Sequence, residues 1–118
     1  METIKLFDSE LKIVDIVWEK EPVSAKDISL IATETIGWNK NTTYTIIKKL
    51  IEKYAIKRME PNYVCSSLVR KEDVQKAETQ NLIDKLYNGS KKAFFAAFIE
   101  ENISDDDLAE LKKLIEKR

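Results

Sequence analysis

The stretch NKNTTYTIIKKL, from Asn39 to Leu50, decides how this chain is read. From its second half onward, Ile46, Ile47, Leu50, Ile51 and Tyr54 recur at three- and four-residue spacing, which predicts an amphipathic helix over about Lys40–Lys53. Asn39 and Asn41 are both suitable caps for its start. The outward side carries Asn41, Thr42, Tyr44 and Thr45, then lysines, with no acid before Glu52. A merely solvated helix face usually mixes Glu and Asp among its cations. A face that approaches a polyanion cannot, because each carboxylate would repel phosphate, whereas Asn and Thr can hydrogen-bond to base edges.

Working outward, DSELKIVDIVWEK places Leu11, Val14, Val17 and Trp18 on one side of a first helix, with Asp8 or Ser9 available as its cap. Pro22 breaks the pattern at Glu21. SAKDISLIATET then reads as a second helix with Ser24 and Asp27 as a capping box and Ile28, Ile31 and Ala32 facing inward. Gly37 ends it, since glycine accepts the left-handed conformation past a helix terminus. Beyond the third helix, AIKRMEPNYVCSSL alternates, and Pro61-Asn62 signals a turn between two short strands. From Lys71 onward three more helices are expected, the first closed by Asn88-Gly89 and the last opened by Ser104 and three aspartates. Asp105, Asp106 and Asp107 are read as a helix start and not as a metal site, because adjacent helical positions fan apart.

Composition narrows the function. The chain has 118 residues, 43% hydrophobic and 35% charged, which suits one compact domain or two small ones. It has no histidine, so the commonest general base and metal ligand is missing, and no glycine-rich phosphate loop is present; an enzyme is not expected, nor a cofactor or a metal. Cys65 is the one cysteine and is read as a small hydrophobe in a reducing, cytoplasmic setting. No apolar run is long enough to span a membrane, and the opening METIKLFDSELK lacks the pattern of a secretory leader. Net charge is −1, but it is unevenly spread. Residues 40–58 hold six basic side chains, Lys40, Lys48, Lys49, Lys53, Lys57 and Arg58, against one acid, while residues 71–118 hold nine basic against eleven acidic.

The element order (three helices, a short β-hairpin, a helical tail) predicts a mainly α fold: a winged helix-turn-helix over residues 1–70 and a three-helix region over 71–118. In such a fold the third helix enters the DNA major groove and the hairpin touches the backbone. Asn41, Thr42, Tyr44 and Thr45 are then expected at bases, and Lys40, Lys48, Lys49, Lys53, Lys57 and Arg58 at phosphates. Trp18 and Trp38 are read as packing residues. The tail is too short to bury its own apolar side chains, so Leu82, Leu86, Tyr87, Phe94, Phe95, Phe98, Ile99, Leu108, Leu111, Leu114 and Ile115 are expected at an interface with a second copy. A winged helix used for protein contact without DNA is the competing reading.

Four motifs in order, SELKIVDIVW, VSAKDI, WNKNTTYTIIKKLIEK and LYNGSKKAFFAAF, give a chain that resembles the BlaI/MecI/CopY penicillinase-repressor family from about Leu6 to Ile115. The resemblance implies a homodimeric repressor at an inverted-repeat operator in double-stranded DNA, released when a membrane sensor-protease system leads to cleavage in the dimerisation region. The corresponding bond is Ala97–Phe98, with alanine where the family has asparagine. The copper branch's Cys-x-Cys pairs are missing. The family's Lys-Gly after the recognition helix is Lys53-Tyr54, which predicts a shorter helix end without a left-handed residue, and the wing turn looks short.

Overall fold

The computed structural model describes residues 4–118 and divides into two compact units, one ending at Gln75 and the other beginning at Lys76. In the first, α1 (Asp8–Lys20), α2 (Ala25–Thr35) and α3 (Lys40–Glu52) pack around Ile13, Val14, Val17, Ile28, Ala32, Ile47 and Leu50, all buried. Trp18, Ile31, Trp38 and Ile51 are partly buried against that core. Trp18 also donates its indole N–H to the Val69 carbonyl at 3.0 Å.

The caps fall partly where the sequence places them. Ser24 Oγ accepts from Asp27 N at 3.1 Å, and Gly37, at φ +84°, donates its N–H to Ala32 O. Of the two asparagines, Asn39 is the cap of α3, its side chain accepting from Thr42 N at 2.8 Å. The start of α1 differs from expectation. Neither Asp8 nor Ser9 caps it; Phe7 holds the cap position, and the Glu10 carboxylate reaches back to accept from Phe7 N at 2.8 Å. Half of a capping box suffices here, because the carboxylate satisfies the free donor without help from a hydroxyl.

Two further expectations give way. The wing is a three-stranded antiparallel sheet in the order β1-β3-β2, not a two-stranded hairpin: β1 is Val23–Ser24, β2 Ile56–Met59 and β3 Val64–Ser67. Val23 pairs with Cys65 and Ser24 with Val64, so β3 is central. Two residues are too few to show alternation, yet Pro22 and the extended cap residue Ser24 set their backbone for pairing. Glu21 pins the far end of β3, accepting from Ser67 N at 2.9 Å. The end of α3 is also not the short turn expected. Tyr54 itself takes the left-handed conformation, at φ +61°, in the place of the family's glycine.

After β3 come α4 (Lys71–Leu86), whose first residues belong to the first unit, then α5 (Lys91–Asn102) and α6 (Asp105–Glu116). Ser90 and Ser104 cap α5 and α6 through Ala93 N and Asp107 N. Gly89, at φ +81°, closes α4 by donating to Ile83 O. No residue of α6 is buried. Leu82, Leu86, Phe95, Phe98, Ile99, Leu111, Leu114 and Ile115 are all exposed, and Phe94 sits at the centre of edge-to-face contacts with Tyr87, Phe95 and Phe98.

Candidate nucleic-acid interface

The core fixes which face of α3 is outward. Thr43, Ile46, Ile47 and Leu50 are buried, and Thr43 was missed in the sequence because its hydroxyl suggests a surface position. It bonds locally to Asn39 O at 3.4 Å, the back-bond by which threonine satisfies itself inside a helix. The opposite face leaves Lys40, Asn41, Thr42, Thr45, Lys48 and Lys49 exposed. Asn41, Thr45 and Lys48 follow the four-then-three spacing of one helix side, with Thr42 and Lys49 beside them. Thr45 Oγ1 donates to Asn41 O at 2.9 Å, which orients the hydroxyl. Among the described residues, Lys40, Lys48, Lys49 and Lys57 form no ion pair.

Two of the expected phosphate contacts have partners in the fold. Lys53 Nζ lies 2.7 Å from Glu10 Oε1, 3.2 Å from Lys5 O and 4.4 Å from the Phe7 ring centre. Glu10 is only 2% exposed, so this pair ties the end of α3 to the start of α1. Arg58 Nε donates to Glu60 Oε1 at 2.6 Å, and its guanidinium carbon lies 3.7 Å from the Tyr63 ring centre. Tyr63 in turn meets Tyr44 of α3 edge-on at 5.8 Å, and Lys40 lies 5.7 Å from the Tyr44 ring. Tyr44 is therefore half-buried between helix and wing, unlike Asn41, Thr42 and Thr45. Burial pushes the Tyr63 phenol up, with the Arg58 charge opposing it. Burial also pushes the Cys65 thiol up to about 11, which keeps it protonated and unreactive.

No group of His, Cys, Asp and Glu among the described residues is placed to hold a metal, and no described helix is long and apolar enough to cross a membrane. The family model described as penicillinase repressor matches residues 6–117. The chain belongs to the penicillinase repressor family. This is a family of transcriptional repressors, not of enzymes, and the chain is accordingly a DNA-binding repressor with a winged-helix domain. It is similar to the methicillin resistance regulatory protein MecI of Staphylococcus aureus strain N315, at 29% identity over 98% of this chain and 97% of that protein. It is also similar to the penicillinase repressor of Staphylococcus aureus, at 25% identity over 95% of this chain and 91% of that protein. In fold it matches the DNA-binding domain of the repressor BlaI with a TM-score of 0.54 at 21% identity, over 62% of this chain and 93% of that one. A second match in fold is Staphylococcus aureus MarR, with a TM-score of 0.55 at 15% identity, over 95% of this chain and 70% of that one.

Proposed function

We propose that two copies pair through the helices after residue 71 and set one α3 each into the major groove at the halves of an inverted-repeat operator. The observation that carries this reading is the outward face of α3, where Asn41, Thr42 and Thr45 are exposed without an acid and are flanked by cations that have no intramolecular ion pair among the described residues. Those three residues read base edges, with the threonine methyls suited to thymine, while Tyr44 supports them from the side of the wing. Lys40, Lys48, Lys49 and Lys57 neutralise phosphates. The exposed apolar side chains of α4, α5 and α6 support a homodimer, because a lone copy would leave them in water. Release by a membrane sensor-protease system would cut Ala97–Phe98. That bond lies within α5, so a protease would need the helix to open locally first.

Binding as a function of salt tests the interface. Four phosphates neutralised per protomer give a dimer a log–log slope near about −7. Thr42→Ala and Thr45→Ala should lower discrimination between operator and mixed-sequence duplex by about 1–3 kcal/mol at the base each one reads. Lys49→Ala should weaken both duplexes alike. Operator binding unchanged by all three substitutions refutes the assignment of α3.

A further inference from the structure

The wing carries an acid where a DNA-facing hairpin has no obvious use for one. Glu60 lies in the turn between β2 and β3, exposed, and holds Arg58 at 2.6 Å. Four groups are joined in sequence: Glu60 to Arg58, Arg58 stacked at 3.7 Å over Tyr63, and Tyr63 edge-on to Tyr44 of α3. The backbone is bent to make this possible. Asn62 and Tyr63 both have positive φ, +74° and +53°. A left-handed tyrosine is disfavoured, and such strain persists where surrounding contacts over-determine it. The Tyr63 hydroxyl is buried and makes no well-formed hydrogen bond among the described residues, so the ring is held there chiefly by its stacking.

Resting on the DNA-binding reading above, we propose that Glu60 is a specificity-setting residue of the wing. It cancels the charge of Arg58 toward phosphates in general and holds the guanidinium stacked on Tyr63, so that the wing keeps a fixed position beside Tyr44 and the reading face of α3. An exposed ion pair is weak, so it does not lock the wing shut. Its effect is felt when a polyanion approaches. With Glu60 in place, the wing offers the net charge of Lys57 alone. The carboxylate engages Nε, so the terminal amines can turn to a phosphate that α3 has already brought into register, while a phosphate met at random must compete with the carboxylate. Glu60 therefore lowers indiscriminate affinity more than operator affinity.

The test compares the full-length protein with Glu60→Gln, which keeps the size of the side chain. One duplex carries the inverted repeat that the protein selects from a random pool; the other is of mixed sequence. For Glu60→Gln, affinity for the mixed-sequence duplex should rise about 3–10-fold, with the salt slope steeper by about 0.9 per protomer. The ratio of operator to mixed-sequence affinity should fall by a similar factor. Adding Arg58→Ala to Glu60→Gln should remove the gain. If the gain survives Arg58→Ala, Glu60 acts by charge alone and the positioning role is refuted. If Glu60→Gln changes neither duplex while Lys49→Ala weakens both, the wing proposal fails and the assignment of α3 stands. If Lys49→Ala is also without effect, both fail.

Discussion

Replacing Lys53 by methionine should destabilise the protein without touching its DNA-reading face. Lys53 Nζ sits 2.7 Å from Glu10 Oε1, which also accepts from Phe7 N at 2.8 Å. The second oxygen, Oε2, is buried and has no partner among the described residues. Methionine fills much of the same volume and can lie against the Phe7 ring, but it removes the one cation paired, among the described residues, with a carboxylate that is 2% exposed. Leaving a buried charge uncompensated costs about 3–5 kcal/mol. Lys53 is itself 30% exposed, so water partly replaces it, and a loss of about 2–4 kcal/mol is expected. Glu10→Gln is the informative control. The amide oxygen can still accept from Phe7 N, and the ammonium left behind can reach water, so the cost should be nearer about 1–2 kcal/mol. Urea unfolding followed by tryptophan fluorescence reports on the correct unit, because Trp18 and Trp38 both pack against its core. If Lys53→Met costs no more than Glu10→Gln, the buried-charge reasoning is wrong. If Lys53→Met instead flattens the salt dependence of DNA binding at full stability, Lys53 is a phosphate contact after all.

Other outcomes follow from the same structure. Tyr54→Gly should stabilise the fold by about 0.5–1 kcal/mol, because glycine relieves a left-handed residue whose side chain is 76% exposed and packs little; thermal unfolding would show it as a higher midpoint. Cys65 should resist thiol reagents in the native protein near neutral pH and react once urea unfolds the chain. Its folded pKa, about 11, lies above the unfolded value of 9.0, so the unfolded chain loses its proton first. Stability should therefore fall as pH rises from 9.0 to about 11, by roughly 2–3 kcal/mol, and Cys65→Ala should remove that part of the slope. In the second unit, Phe98→Ser together with Leu114→Ser should shift sedimentation at micromolar concentration toward the monomer; unchanged mass would place the dimer contact elsewhere.

The core stripes of α1, α2 and α3 were legible because a helix repeats every few residues and its apolar face must repeat with it. Ser24, Ser104 and Gly37 were legible for a similar reason: a cap acts on backbone three or four residues away. The bare, acid-free face of α3 could be read because its composition is itself the chemical signal. Thr43 could not be read as core, since its burial depends on which neighbours close over it. Nor could β1, whose two residues become a strand only when β3 lies alongside.

What the sequence determined by itself was the set of helices, their order and the polar surface that α3 turns outward, because each depends on side chains near one another in the chain. What only the tertiary structure decided was how the charges are spent among partners. Glu10 meets Lys53 across 43 positions, and Arg58 leans on Tyr63 and reaches Glu60 only because the wing turn bends back. Coulomb attraction and stacking act through space, over a few ångströms, and no spacing along the chain announces which cation will find an acid and which will be left for phosphate.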